Sequence, residues 1–266
     1  MKTTLVNFIG YGDWGSRLAK KVQDEGFVIE SLVTNNSNVS IQCNNLLKRN
    51  EVERIDWTLP TFISTGPLYH HDLLKLSKER VFVEKPFYIF ERNNSNIPHN
   101  PYVNYHWYNS LKLKTIKNFI GNNWKKLRIQ LFTTTKINRG FDVFNDFLPH
   151  VVSILQFLNP DHIKNFNINK MSNDVYEIKF YFKNKIIEFI VGISSERYAQ
   201  FETYNICIRT NKPNTLVVNG TEFFIERDSL SDSVHRYYNY YLNGTCDRVF
   251  YSDEFHTFIL DLGRKI

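Results

Sequence analysis

The first third of the chain alternates between short apolar runs and helical periodicity. Thr4 to Ile9 is an apolar run, Trp14 to Glu25 sets Leu18, Ala19 and Val22 on one face of a helix, and Phe27 to Val33 is a second apolar run. Strand, helix and strand within about thirty residues read as a parallel unit. The alternation continues less cleanly through Asn44 to Asn50 and reaches a third strand at Thr61 to Ser64. Leu68 to Leu76 has helical spacing, and Arg80 to Glu84 is a fourth strand that runs into Lys85-Pro86. A strand at Tyr102 to Tyr105 and a helix at Ser110 to Ile120 complete a doubly wound parallel sheet.

The second half changes period. Leu127 to Thr134 reads as a strand and Val143 to Phe157 as a long helix. Strands then follow at Ile163 to Asn169, Val175 to Phe182, Ile186 to Ile193, Tyr204 to Thr210 and Thr215 to Val218. Asn219-Gly220 before Thr221 to Ile225 has the composition of a tight hairpin turn. The expected fold class is therefore α/β: an N-terminal Rossmann sheet over residues 1–120, then an α+β domain over 121–266 with an open, mostly antiparallel sheet. Helices at Ser231 to Leu242 and Asp253 to Arg264 close the chain, the last expected to pack back on the first domain.

Composition narrows the class without changing this outline. The chain has 266 residues, 42% hydrophobic and 23% charged, which fits one or two globular domains and excludes disordered and collagen-like chains. The net charge of +6 raises the question of an anionic partner. Its densest cluster, Lys125, Lys126 and Arg128 with Lys112, Lys114 and Lys117 upstream, has the pattern of a solvated face and no recognition motif, so no nucleic acid is expected. Cys43, Cys207 and Cys246 are odd in number and widely spaced, which fits a reducing compartment and gives neither a disulfide framework nor a zinc site. The opening MKTTLVNFIG lacks the apolar length of a signal peptide, and no stretch approaches a membrane span. A cytoplasmic location and no membrane partner are the expectations.

Candidate chemistry begins at Gly10-Tyr11-Gly12-Asp13-Trp14-Gly15, which follows a strand and opens a helix. In that context the pattern points to a dinucleotide: a residue without a side chain at Gly12 lets the backbone approach a pyrophosphate, and the helix start favours its charge. The ribose-recognition position falls at Val33-Thr34-Asn35-Asn36-Ser37, where no Asp or Glu stands to bind both ribose hydroxyls and no arginine to grip a 2′-phosphate. The missing carboxylate tilts the expected cofactor to NADP(H) over NAD(H), with Thr34, Asn35 and Ser37 as hydrogen-bond donors.

Ser64, Thr65 and His70, and then Glu84 and Lys85, lie at the carboxyl ends of strands, where such sheets place their ligands. A lysine held there by Pro86 would bond a substrate hydroxyl and ease loss of its proton. Taken alone, Glu-Lys-Pro reads as a surface turn. In Asp146-Phe147-Leu148-Pro149-His150 the i, i+4 spacing puts the carboxylate and the imidazole on one helix face, a pair suited to proton transfer. Asn145 and Asp142 are weak additional ligands, and no metal site is expected.

The order of these motifs, GxGxWG, then Ser-Thr-x-Pro-x-x-His, then Glu-Lys-Pro, then Asp-x-x-x-His before a run of strands, resembles the glucose-fructose oxidoreductase and inositol dehydrogenase family over essentially the whole chain. The resemblance implies an NAD(P)-dependent oxidoreductase that moves a hydride between nicotinamide and a carbinol or carbonyl carbon of a sugar-, nucleotide-sugar- or cyclitol-like substrate. It implies Lys85 beside nicotinamide and substrate, His150 as acid/base and Asp146 as its helper, and a homodimer or tetramer through the open sheet. Gly66 stands where the family usually has a proline. His106 and Trp107 stand where many members have polar or arginine residues, which makes Tyr105, His106 and Trp107 substrate-contact candidates, with Arg139 for a substrate phosphate or carboxylate. A reductase of the same fold acting on a tetrapyrrole or imine stays open, because Tyr105, Trp107 and Tyr108 would suit a flat substrate. A non-catalytic NAD(P)-binding regulator also stays open, although such a protein usually loses the Lys or the His that this chain keeps.

Overall fold

The computed structural model describes residues 4–66, 69–77, 80–85, 101–108, 110–134, 143–158 and 165–243. They pack as two compact units, one of Met1–Tyr105 with Leu230–Ser252 and the other built on His106–Ser229. The expected last helix, Asp253 to Arg264, lies outside the described residues.

The first unit holds β1 (Thr4–Ile9), α1 (Asp13–Asp24), β2 (Phe27–Val33), β3 (Asn45–Leu47), a short tight helix at Arg49–Arg54, β4 (Thr61–Ile63), α2 (His70–Leu76), β5 (Val81–Val83) and β6 (Tyr102–Val103). The six strands form one parallel sheet in the order β3-β2-β1-β4-β5-β6. The order reverses between β1 and β4, and a doubly wound sheet opens its crevice at that switch point. Leu18, Ala19 and Val22 are buried on α1, as their spacing predicts. Phe8, Phe62, Phe82 and Tyr102 occupy one row across β1, β4, β5 and β6, with neighbouring ring centroids 6.0, 4.9 and 5.3 Å apart.

A helix that follows the last strand in sequence, α5 (Ser229–Asn243), closes over that row and presents Tyr237 edge-on to Phe62, Phe82 and Tyr102 at 5.1, 5.4 and 5.5 Å. The Tyr237 hydroxyl donates to the Arg80 carbonyl, so this fully buried phenol keeps a partner for its one polar group.

The second unit holds α3 (Leu111–Ile120), β7 (Lys126–Thr133), α4 (Val143–Leu158), β8 (Asn165–Ser172), β9 (Val175–Phe182), β10 (Lys185–Ile193), β11 (Tyr198–Glu202), β12 (Cys207–Thr210), β13 (Thr215–Val218) and β14 (Thr221–Phe224). Its eight-stranded sheet runs β14-β13-β12-β11-β7-β10-β9-β8, antiparallel except where β7 and β10 pair in parallel. Period-two burial puts Leu127, Ile129, Leu131, Tyr176, Ile178 and Phe180 on one face, where Phe144 of α4 meets Tyr176 at 5.3 Å. The buried Lys112 of α3 donates to Thr210 Oγ1 at 2.9 Å and to the Lys212 carbonyl at 3.1 Å, which ties this helix to β12. Burial, opposed by the Asp228 charge, lowers its ammonium pKa to about 8.

One expected strand is corrected. Tyr204 to Thr210 was expected as a single strand, but Thr203–Ile206 is a turn closed by a Thr203 N–H to Ile206 carbonyl bond, with Tyr204 fully exposed at its tip. The strand before that turn, β11, carries its apolar residues Ala199 and Phe201 inward. The Asn219-Gly220 hairpin forms as expected, with φ of 48° and 89° at its two central residues. No helix among the described residues is long and apolar enough to cross a membrane.

Candidate functional site

The first unit aligns its candidate residues by backbone hydrogen bonding alone. The residue just past each strand donates its N–H to the end of a neighbouring strand: Thr34 to Leu47, Gly10 to Val33, Ser64 to Ile9, Glu84 to Ile63 and Asn104 to Val83, all at 2.8 or 2.9 Å. The predicted positions Gly10, Thr34, Ser64 and Glu84 therefore stand in one row along the carboxyl edge of the sheet, and Asn104 extends it.

Within this row the glycine turn is tight where the chain packs on itself and open where a ligand would approach. Gly10 has φ +96°, and a Cβ on Gly15 would fall 2.2 Å from the Gly10 carbonyl oxygen, so helix and strand meet with no room for a side chain. Around Gly12 nothing lies within 4 Å of the same hypothetical atom. Gly12 is also the residue at the start of α1, with no side-chain cap on the helix's first N–H groups. Beside the turn, Ser64 Oγ and Thr65 Oγ1 are buried without a hydrogen-bond partner among the described residues. Open space over Gly12, an uncapped helix start and two unused hydroxyls are what a bound pyrophosphate requires, so these residues fit the dinucleotide that the motif implies.

Of the remaining first-unit candidates, Tyr11, Thr34 and His70 have structural partners. The Tyr11 ring is buried and its hydroxyl lies 3.0 Å from Ser40 Oγ, while Asn36 Nδ2 donates to the Tyr11 carbonyl at 2.9 Å. The loop after β2 is thereby tied to the glycine turn. Thr34 Oγ1 accepts from the Asn36 N–H within that loop, and Asn35 and Ser37 are exposed. Asp13 is exposed in the first turn of α1. His70 is fully buried, and its Nε2 meets the Thr65 carbonyl at 3.0 Å, so it braces the Ser64-Thr65 turn. Burial lowers its pKa to about 4 against that hydrogen bond, so the ring is neutral near pH 7.

Glu84 is 2% exposed. Burial raises its pKa to about 7, opposed by the Trp14 indole, the Asn104 amide and Lys85. Asn104 Nδ2 donates to Glu84 Oε1 at 2.5 Å, and Ser233 of α5 donates to Asn104 Oδ1 at 2.8 Å. The half-buried Lys85 thus follows a carboxyl group held by the Asn104 amide, which Ser233 holds in turn.

In the second unit, Asp146 and His150 are half-buried on α4, one turn apart. Pro149 between them lacks the N–H that a regular helix would turn toward the carbonyl four residues back. The structure brings His106 to this pair: its ring centroid is 4.9 Å from that of His150, at 67°. Reading the sequence for substrate contacts singled out His106 without this neighbour, because nothing local links it to α4. Trp107 packs at 6.1 Å from Phe201, and Tyr108 lies edge-on to Phe157 at 6.1 Å. Tyr105 is buried, so these rings are engaged within the protein. Arg139 lies outside the described residues, as does Pro86. Among the described residues no group of three or more His, Cys, Asp or Glu is gathered to hold a metal.

One residue that the sequence left unassigned meets the loop after β2. The Arg49 N–H donates to Asn35 Oδ1 at 3.1 Å, and its guanidinium lies 3.5 Å from the centroid of the Tyr69 ring. The motif spacing searches just past β2, whereas Arg49 arrives from beyond β3.

No family model and no curated protein sequence matches the chain. Solved structures do match its fold. The aldose-aldose oxidoreductase from Caulobacter crescentus superposes with a TM-score of 0.74 at 11% identity, covering 99% of this chain and 98% of that one. The dehydrogenase MviM from Clostridium difficile gives 0.73 at 14% identity, over 100% of both chains. UDP-N-acetylglucosamine 3-dehydrogenase GnnA from Acidithiobacillus ferrooxidans gives 0.71 at 12% identity, over 100% of this chain and 97% of that one. The fold is accordingly the one that the motif order led us to expect, a Rossmann-like parallel sheet followed by a mostly antiparallel one.

Proposed function

We propose that the protein is an NAD(P)-dependent oxidoreductase acting on a carbinol or carbonyl carbon of a sugar-, nucleotide-sugar- or cyclitol-like substrate. The observation that carries this reading is the row of strand ends in the first unit, with open space over Gly12 and the unused hydroxyls of Ser64 and Thr65 beside it. Further support comes from the fold, since the matching structures include a UDP-N-acetylglucosamine dehydrogenase and an aldose-aldose oxidoreductase.

A bound nicotinamide supplies the hydride acceptor or donor; the rest falls to side chains. The N–H groups at the head of α1 and the hydroxyls of Ser64 and Thr65 would hold its pyrophosphate. Lys85 bonds the substrate oxygen and steadies the negative charge that develops on it, and Glu84 orients Lys85. His150 takes the proton of the substrate hydroxyl in oxidation and returns it in carbonyl reduction, with Asp146 orienting the ring. As His106 lies in ring contact with His150, it fixes the position of the imidazole. The substrate is a small molecule, and the open sheet joins copies of the chain as a homodimer or tetramer.

A screen of sugars, nucleotide sugars and cyclitols for absorbance change at the reduced-nicotinamide band tests this reading, followed by Lys85→Ala and His150→Ala on the best substrate. Each substitution should lower turnover by about 100-fold or more, the scale of a lost acid/base or oxyanion contact, while cofactor binding persists. Full turnover in both variants would refute the assigned roles.

A further inference from the structure

We propose that Arg49, held between Asn35 and Tyr69, is the binding site for the 2′-phosphate of an adenosine nucleotide and makes the protein selective for NADP(H). This rests on the nicotinamide dinucleotide reading above and goes beyond it by assigning the selecting residue.

Three observations meet at the place where a doubly wound sheet reads the ribose. First, the loop just after β2 carries Thr34, Asn35, Asn36 and Ser37, with no carboxylate to take the 2′- and 3′-hydroxyls or to repel a phosphate. Second, the Arg49 N–H bonds Asn35 Oδ1 at 3.1 Å, and Asn35, Arg49 and Asn50 border an open depression of the surface, which a phosphate can enter from solvent. Third, the guanidinium is stacked on the Tyr69 ring at 3.5 Å, which limits its rotamers while leaving its N–H edge free to bond.

The charge of Arg49 is also uncommitted. No carboxylate pairs with it among the described residues. The acid on its own turn, Glu51, is occupied by the Lys48 N–H and by Arg54, and these contacts hold its pKa below the usual carboxylate value. An arginine that is stacked, anchored through its backbone and lacking a counter-ion, beside a loop of neutral hydrogen-bonding residues, matches a dianionic phosphomonoester.

The test compares binding, not turnover. Isothermal titration of the wild-type protein with 2′,5′-ADP and with 5′-ADP, and fluorescence titration with NADPH and NADH, should show the 2′-phosphorylated member of each pair binding about 10- to 100-fold tighter, the scale of a charge-assisted contact. Arg49→Ala should collapse both ratios toward one, and Arg49→Lys should keep part of them. A second variant at the anchor, Asn35→Asp, places a carboxylate at the ribose and should reverse the preference toward NADH. Ratios near one in the wild type, ratios that survive Arg49→Ala, or an equal loss for both members of each pair would each overturn the assignment. In all three cases NADH or NADPH still binds, so they are distinct from failure of the cofactor reading, in which neither dinucleotide binds.

Discussion

Gly12 and Gly15 share one turn, and alanine at each separates a requirement of the fold from a requirement of the ligand. A Cβ on Gly15 would meet the Gly10 carbonyl oxygen at 2.2 Å, the Gly10 carbonyl carbon at 3.0 Å and Ser64 Oγ at 3.2 Å. Two of these are backbone atoms, so relief requires α1 to move away from the end of β1. Overpacking of this kind costs about 1–3 kcal/mol, which for a chain of this size lowers the thermal midpoint by roughly 2–12 °C.

Gly12 is different in both respects. Its φ of −89° suits any residue, and its Cβ would meet nothing within 4 Å. Alanine is a poorer helix start than glycine by about 0.5 kcal/mol, and about the same is recovered because the unfolded chain loses freedom. The Gly12→Ala midpoint should therefore stay within about 2 °C of wild type. The added methyl occupies the open approach to the head of α1, so NADPH affinity should fall about 10-fold or more, a loss of about 1.4 kcal/mol. Differential scanning calorimetry and NADPH fluorescence titration of the same samples give both numbers. A Gly15→Ala protein as stable as wild type would refute the packing argument, and a Gly12→Ala protein with unchanged affinity would refute the pyrophosphate site.

Two further tests follow from buried titratable groups. Glu84 has its pKa raised to about 7 by burial, so the folded state holds a proton that the unfolded chain gives up above the ordinary value of 4.5. Its contribution to stability is therefore greatest below about pH 4.5 and is lost as pH rises toward 7, by about 3 kcal/mol in all. Glu84→Gln should remove this downward contribution, so that the slope of stability against pH becomes more positive than in the wild type between pH 4.5 and 7 in denaturant titrations, and an unaltered slope would contradict the burial argument. His70 works in the opposite direction: its pKa of about 4 means that stability is full above pH 6.5 and falls by about 3 kcal/mol as pH drops toward 4. Because Glu84 opposes it over much of the same range, His70→Asn should make the slope of stability against pH more negative than in the wild type between pH 4 and 6.5, and a variant with the wild-type slope would show that the ring is not the group responsible.

What was legible in the sequence is what local pattern encodes. The apolar runs of the first sheet, the Gly10–Gly15 turn and the Asn219-Gly220 hairpin each depend on residues close in the chain, and each forms where the pattern places it. The eight-stranded sheet was harder, because Tyr204 has the composition of a strand residue yet sits at a turn tip, while β11 begins directly after the polar Ser194–Arg197 stretch. The edge strand β8 is exposed at most of its positions, so pairing with β9 sets its limits more than burial does. Within the candidate site, the glycine turn and the strand-end residues could be found by spacing. Arg49 and the His106–His150 contact could not, since each comes from elements distant in sequence that meet only on folding. The return of α5 to the first sheet through Tyr237 belongs to the same class: amphipathic spacing shows that a helix buries a face but not against which sheet.

The proposed function depends first on a nicotinamide dinucleotide binding over the glycine turn. Titrating the wild-type protein with NADPH and NADH, and following the fluorescence of the reduced nicotinamide, tests it without knowledge of the substrate. A saturable change with one dinucleotide per chain, weakened by Gly12→Ala, is the expected result. No saturable change with either dinucleotide up to millimolar concentration would contradict the account at its first step.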